Sequence, residues 1–308
     1  MRILISDKLQ EEAIKILENN DFTVVKNYSI SYEELKDTIS DYDAILIRSR
    51  TKLTEEILKS AKNLKVIGRA GVGLDNIDLK KAEELNIKIL NTPEAPSVSV
   101  AELTIGLIIS LVRHISQADK TMHCGEWCKG DYMGYTLKDK KIGLIGFGNI
   151  GQAVAKRCQA LELRVGIYDV DPSVKEKAKK LGYKIYTSVD ELIKDSQIIS
   201  LHIPSNIQTE NTIDERRLSL MNKNSILINT ARGDLVDEHA LINALRSKKI
   251  GGAALDVYRE EPLKDLDLCN CEDNLILTPH IGSQTVEAQS EASTLIAEKI
   301  SRYLKNIT

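Results

Sequence analysis

Gly146-Phe147-Gly148-Asn149-Ile150-Gly151 follows an apolar run at 142–145 and opens a helical pattern over 152–161. That order of strand, glycine loop and helix reads as a dinucleotide-phosphate site. The first glycine permits a tight turn, the second lets a pyrophosphate approach the backbone, and the third lets helix and strand pack closely. The phosphates would sit at the helix N-terminus, where the N–H groups of Asn149 and Ile150 have no intrahelical acceptor. Such a loop normally opens a nucleotide domain. Here about 140 residues precede it, so a second domain must be built from them.

Working outward, short β-branched runs alternate with amphipathic stretches on both sides. Strands are expected at 2–5, 23–25, 44–47, 64–68 and 88–91, separated by helices at 11–19, 32–40, 55–61 and 78–85. Thr54 before Glu55-Glu56, and Asp78, read as N-caps. After the break Thr92-Pro93-Glu94-Ala95-Pro96 a single long helix is expected from 97 to 122, then a loop containing Trp127. A second series of strands follows at 141–145, 164–168, 184–186, 198–201, 225–229, 253–256 and 275–278, and the tail, 285–305, reads as a helix. Repeated βα units with near-continuous apolar strands predict an α/β chain of two doubly wound parallel sheets.

The chain has 308 residues, of which 42% are apolar and 28% charged, as in ordinary globular proteins. A net charge of −3 and 4% aromatic residues argue against a nucleic-acid surface. The most apolar long stretch, 98–112, contains Glu102 and is too short to span a bilayer. With no secretory signal at the N-terminus, a cytoplasmic protein is expected. The odd set Cys124, Cys128, Cys158, Cys269 and Cys271 reads as reduced thiols. Neither close pair has zinc-knuckle spacing, and no metal site is expected.

Asp169 ends the second strand of the nucleotide unit, about twenty residues past the glycines, where a carboxylate accepts hydrogen bonds from both ribose hydroxyls. The same charge opposes a 2′-phosphate, by up to about 4 kcal/mol at 4 Å. Val170-Asp171-Pro172 offers no cation to receive that phosphate, so NAD is preferred over NADP. The competing reading makes Asp169 only a helix cap.

A hydride enzyme needs a proton relay and a cation for the substrate carboxylate, and three segments at strand ends offer them. Arg232 lies in Asn229-Thr230-Ala231-Arg232-Gly233 and can clamp a carboxylate bidentately. Glu260 and Glu261 both precede Pro262, and spacing alone does not choose between them. His280 lies in Thr278-Pro279-His280-Ile281-Gly282-Ser283. A glutamate on its second nitrogen would fix the tautomer and favour the protonated ring. His202, ending a strand before Pro204, reads as lining the cofactor pocket. His114, His123 and His239 read as bystanders.

Those segments, with Ala254-Leu255-Asp256-Val257-Tyr258, resemble the signatures of the D-isomer-specific 2-hydroxyacid dehydrogenases, and the likeness runs over the whole chain. It implies a flavodoxin-like substrate domain (1–96), a Rossmann NAD-binding domain (97–284) and a C-terminal helix (285–308) returning to the first domain, with the active cleft between domains. It implies that Arg232 orients substrate, that His280 is the acid/base, and that Glu261 is its partner. Gly146, Gly148, Asn149, Ile150, Gly151, Asp169, His202, Ile203, Pro204, Thr230, Ala231, Asp256 and Gly282 would form the NAD site. The long helix resembles the family's dimer-forming element.

Within the family, residues 47–52, 68–76 and 91–93 resemble the substrate loops of members that oxidise 3-phospho-D-glycerate. Arg48, Ser49, Arg69, Gly71, Val72 and Gly73 would then contact a small anionic, phosphorylated 2-hydroxy acid. Lys129, beside Trp127, would reach a neighbouring subunit's site. Plain solvated charge is the competing reading for Arg50, Lys52 and Lys129. A reductase of hydroxypyruvate or glyoxylate, and an NAD(H)-sensing binding protein of corepressor type, are the alternatives. Members of the phosphoglycerate type often carry a C-terminal regulatory domain; ending at Thr308, this chain is expected to lack feedback through one.

Overall fold

Runs such as Ala44–Ile47, Ile198–Leu201 and Ile226–Asn229 are buried along their whole length, which is the signature of parallel strands covered on both faces. The computed structural model describes residues 1–271 and 274–307, so Thr308, the end of the expected C-terminal helix, lies outside the described residues. The chain divides into two compact units, Met1–Ser97 with Ser283–Thr308, and Val98–Gly282.

The first unit is built on β1 (Arg2–Ile5), β2 (Thr23–Lys26), β3 (Ala44–Ile47), β4 (Val66–Arg69) and β5 (Lys88–Asn91), ordered β2-β1-β3-β4-β5 and parallel throughout. This is the flavodoxin-like order. Side chains alternate between faces as strand geometry requires. Ile3, Ile5, Ala44 and Leu46 pack with helices Glu11–Glu18 and Val286–Asn306, whereas Leu4, Ile45 and Ile47 pack with the three helices between 32 and 84. The tail helix is therefore part of this unit's core: Ile296, Ala297, Ile300 and Leu304 have no exposed surface. Thr54 and Asp78 cap as expected, accepting from the N–H groups of Ile57 and Lys81.

The second unit carries β6 (Lys141–Ile145), β7 (Arg164–Tyr168), β8 (Lys184–Ile185), β9 (Ile198–Leu201), β10 (Ile226–Asn229), β11 (Gly252–Leu255) and β12 (Leu275–Leu277). They are ordered β12-β11-β10-β9-β6-β7-β8, all parallel. This is a Rossmann sheet extended by one strand, with the order reversing at β6 and β9. Ile142 and Leu144 face one layer and Ile145 the other.

The single helix expected over 97–122 is two. Ser97–Val112 is followed by His114 in the left-handed region (φ 54°) and then Ile115–His123, bent by 66°. The first segment buries Leu107, Ile108, Leu111 and Val112; the second buries no residue. The chain returning at Tyr135 donates its N–H to Val112 O at 3.2 Å, satisfying a helix-end carbonyl where the turn occurs. Among the described residues no single helix is long and apolar enough to cross a membrane.

Candidate active site

The glycine loop leaves β6 through Gly146, whose φ of +98° is closed to most side chains. A Cβ at Gly151 would meet Gly146 O at 2.4 Å, so the first turn of helix Asn149–Ala160 lies directly on the loop. A Cβ at Gly148 would meet no atom of the described residues within 4 Å. Nothing in the protein itself requires glycine there; the open space over Gly148 suits a group approaching from outside. The helix starts at Gly148 without a side-chain cap, leaving its first N–H groups for an anion. These residues fit a dinucleotide pyrophosphate.

Asp169 follows β7, and its carboxylate accepts from Phe147 N–H at 2.8 Å and Asp171 N–H at 3.0 Å. The next helix is capped instead by Asp171, which accepts from Ser173 N–H. Asp169 is thus bound to the glycine loop, with one acceptor lobe of each oxygen left for a ribose. His202 follows β9; its Nε2 lies 2.9 Å from Ser200 Oγ, while Nδ1 is buried without a partner among the described residues. Burial pushes its pKa down to about 4, so the ring is neutral near pH 7. Ile203 lies over Gly146. Pro204 O accepts from Thr209 Oγ1 at 2.7 Å. Thr230 is buried, 3.1 Å from Thr104 Oγ1, and Ala231 N–H is held by Asn229 Oδ1 at 3.1 Å.

The residues expected to carry the chemistry converge within this unit, at the C-terminal ends of β10, β11 and β12. His280 Nδ1 lies 2.8 Å from Glu261 Oε2. Glu260 turns away to Lys264 Nζ at 2.6 Å, so geometry selects Glu261. Burial opposes ionisation of Glu261, but the His280 hydrogen bond and charge, Tyr258 N–H and the Arg232 charge outweigh it. The carboxyl is held below the usual glutamate range. Arg232 is half-buried; its Nη1 donates to Ala231 O at 2.6 Å, and Asn229 Nδ2 donates to its carbonyl at 2.8 Å. A Cβ at Gly233 would meet Tyr258 C at 1.9 Å, so the loops bearing Arg232 and Glu261 touch at their backbones.

Asp256 is 1% exposed and accepts from Thr278 Oγ1 at 2.6 Å and from the N–H groups of Ile281 and Gly282, each at 2.8 Å. Its carboxylate thereby pins the loop that carries His280 in a left-handed backbone, φ 52°. Tyr258 adds a second tie, donating its hydroxyl to Thr278 O at 2.8 Å. Glu238 Oε1 accepts from Arg259 N–H at 2.9 Å. The Tyr258 hydroxyl and Glu238 meet their partners Thr278 and Arg259 across 20 and 21 residues, distances that no local spacing reports.

The residues expected on the substrate side lie in the first unit. Arg48 and Ser49 follow β3, and Arg69 ends β4 in register with Ile47. Gly71 N–H donates to Thr92 Oγ1 at 2.8 Å, and Val72 O accepts from Asn91 Nδ2 at 2.8 Å. The N–H groups of Val72 and Gly73 have no acceptor among the described residues. Arg50, Asp7 and Asn76 join this loop; Arg50 and Asn76 fall in the segments 47–52 and 68–76, whereas no sequence pattern marks Asp7. Lys129 opens a short 3-10 turn on the surface of the second unit, near Trp127, which is 79% exposed. Burial pushes the Cys158 thiol up to about 12, and among the described residues no cluster could hold a metal ion.

A family model described as "D-isomer specific 2-hydroxyacid dehydrogenase, NAD binding domain" matches residues 105–282. The D-3-phosphoglycerate dehydrogenase of Methanocaldococcus jannaschii is 44% identical over 306 residues, which are 99% of this chain and 58% of that protein. The hydroxypyruvate reductase of Thermotoga maritima is 41% identical over 309 residues, 98% of each chain. The crystal structure of the TT0316 protein from Thermus thermophilus superposes with a TM-score of 0.89 at 32% identity, covering 99% of this chain and 97% of that one. This chain therefore spans little more than half the length of the M. jannaschii relative. With a Rossmann unit that carries the Arg232, Glu261 and His280 constellation, the chain belongs to the D-isomer-specific 2-hydroxyacid dehydrogenase family.

Proposed function

We propose that the chain oxidises 3-phospho-D-glycerate to 3-phosphohydroxypyruvate with NAD, the first step of serine biosynthesis. The observation that carries this reading is the Glu261–His280 pair at 2.8 Å, on whose carboxylate the charge of Arg232 also acts. The bound nicotinamide supplies the hydride acceptor for the hydrogen on the substrate's C2. His280 Nε2, the nitrogen not facing Glu261, takes the hydroxyl proton in oxidation and returns it to the carbonyl oxygen in reduction. Glu261 holds the tautomer and stabilises the imidazolium. Arg232 grips the carboxylate and orients C2.

Arg48 and Arg69 supply cations for the phosphate, and Ser49, Gly71, Val72 and Gly73 contribute polar backbone at the same strand ends. Asp169 selects NAD by accepting from the ribose hydroxyls and opposing a 2′-phosphate. The protein works as a cytoplasmic homodimer, with no nucleic-acid or membrane partner. The helix Ser97–Val112 lies at the subunit contact, and Lys129 with Trp127 extends to the neighbouring subunit.

The T. maritima relative, matched along 98% of its length, favours a second reading, reduction of hydroxypyruvate or glyoxylate by the same residues. The test is kcat/KM with NADH for 3-phosphohydroxypyruvate, hydroxypyruvate and glyoxylate. A preference of tenfold or more for the phosphorylated acid, about 1.4 kcal/mol, is expected. Equal values select the second reading, and no turnover with any 2-keto acid selects an NAD(H)-sensing binding protein.

A further inference from the structure

Three cations, Arg48, Arg50 and Lys52, stand within five residues after β3. The structure gives the two arginines opposite fates. Asp7, which follows β1, is 4% exposed. Its Oδ1 accepts from Arg50 Nε at 2.9 Å and Thr51 Oγ1 at 3.0 Å, and its Oδ2 from the N–H groups of Arg48 at 2.6 Å and Thr51 at 3.2 Å. Arg50 uses its remaining edge on Ile30 O at 3.3 Å, Thr51 Oγ1 at 3.3 Å and Ser6 O. From the other side, Asn76 Nδ2 donates to Arg48 O at 2.7 Å and Thr51 O at 2.6 Å. Residues 48–51 are thus held by both their N–H and their C=O groups.

The Arg48 guanidinium, in contrast, is half-buried and has no acceptor or ion-pair partner among the described residues. Burial makes its charge harder to hold, and the carboxylate that acts on it is Asp7. A half-desolvated cation without a partner is unfavourable unless an anion arrives. Asp7 does not supply one, because both its oxygens are already taken by Arg50, Thr51 and the backbone.

We infer that Arg50 is a positioning residue and not a substrate contact. By neutralising Asp7 and pinning residues 48–51, it keeps the Arg48 guanidinium uncommitted for the substrate's anionic group. The inference rests on the substrate reading above and deepens it. Its physical consequence is specific. With Arg50 gone, Asp7 is a buried carboxylate short of one cation, and the neighbouring Arg48 turns inward to replace it.

The test is steady-state kinetics of the full chain with 3-phosphohydroxypyruvate at saturating NADH, for Arg48→Gln, Arg50→Gln and the double variant. Each single change is expected to raise KM about tenfold with kcat within about threefold, and the double to match Arg48→Gln alone, since both act through one cation. Adding Asp7→Asn to Arg50→Gln removes the charge that recaptures Arg48. That combination should bring KM back to within about threefold of wild type, a rescue that a loop merely loosened by Arg50→Gln would not show. It also serves if Arg50→Gln alone does not fold.

An Arg50→Gln KM that stays at the wild-type value while Arg48→Gln raises it overturns the inference. So do effects that multiply in the double variant, which would mean that Arg50 touches substrate itself. Calorimetric titration of the same variants with 3-phosphoglycerate reads anion binding without turnover. Wild-type binding without turnover rejects the proposed activity and leaves the arginine comparison readable. Unaltered binding in Arg48→Gln rejects Arg48 as the anion contact and the inference with it.

Discussion

Glu261 and His280, nineteen residues apart, meet at 2.8 Å because each is held from behind by the same short strand end. Glu261 receives Tyr258 N–H at 3.2 Å on its other oxygen. The residue after His280 donates its N–H to Asp256 Oδ1 at 2.8 Å. Asp256 and Tyr258 both lie just beyond β11, so one loop sets the position of both partners. The pair is solvent-accessible, as the proposed proton relay requires.

The direction of the Glu261 shift makes a pH prediction. A carboxyl held below its ordinary range is ionised, and the pairing it makes is complete, at all pH values above that range. The pairing is lost only as pH falls through the depressed value. The acid limb of kcat/KM for keto-acid reduction should therefore lie below the ordinary glutamate value of 4.5, and a pH–rate profile checks it. Glu261→Gln removes the anion but keeps an acceptor, so kcat should fall by about 10 to 10²-fold while NADH affinity stays within about twofold. An unchanged kcat would remove Glu261 from the relay.

Gly233 makes a prediction about precision. Its absent Cβ would stand 1.9 Å from Tyr258 C and 2.1 Å from Tyr258 O, rigid backbone atoms that cannot rotate away. Gly233→Ala must push the Arg232 loop off the loop that carries Glu261. Overpacking of this kind costs about 1–3 kcal/mol, to be read as a lower urea midpoint. Because Arg232 moves with the displaced loop, kcat/KM should fall more than the stability loss alone explains. Ala240, 9% exposed in the following helix, is the control: Ala240→Gly should lower stability by a similar amount and leave kcat/KM of the folded fraction unchanged.

How much of this was legible beforehand follows from the range of the interactions. The strand–glycine loop–helix unit at 142–161 could be read because backbone geometry at Gly146 and Gly151 is a local requirement. The strands of both sheets could be read because burial on two faces leaves continuous apolar runs. Glu260 and Glu261 could not be separated by local reasoning, since adjacent side chains point apart and only the fold says which meets His280. Local reasoning leaves Arg50 between loop contact and solvated cation, because its partner, Asp7, is 43 residues away. The turn at His114 is accompanied by Tyr135 N–H bonding Val112 O across 23 residues, a contact that no helical periodicity reports.

Asp169 makes a prediction about cofactor choice with two separable parts. It accepts from Phe147 N–H at 2.8 Å, so Asp169→Ala loosens the glycine loop and removes the proposed ribose acceptor together. NADH affinity, measured by quenching of protein fluorescence, should weaken by about tenfold or more, the scale of a charge-assisted hydrogen bond. NADPH affinity should fall less or rise, because the charge opposing a 2′-phosphate is gone. Asp169→Asn separates the parts: it keeps an acceptor for Phe147 N–H and loses only the charge. If NADH and NADPH weaken equally in both variants, Asp169 is a loop anchor without a role in selection.

The C-terminal helix makes the last prediction. Val286–Asn306 follows the nucleotide-binding unit in the chain but belongs to the core of the first unit, where Ile296 and Ile300 have no exposed surface. They pack with Ile3, Ile5, Ala44, Leu46 and Val66 on one face of the five-stranded sheet. Helix Glu11–Glu18 completes that layer, so its residues Ala13, Ile14 and Leu17 depend on the tail to exclude water. Ile296→Ala removes methylenes from a site closed on all sides and should cost about 2–5 kcal/mol. The loss should appear in urea unfolding of the first unit. Met221→Ala, on the other unit's core, where Met221 is 3% exposed, should shift a different part of the unfolding curve. If Ile296→Ala left the midpoint unchanged, the helix would be an appendage rather than a wall of the first unit's core. The sheet carrying Arg48 and Arg69 would then have to be stable with one face uncovered, which its apolar residues on that face do not allow in water.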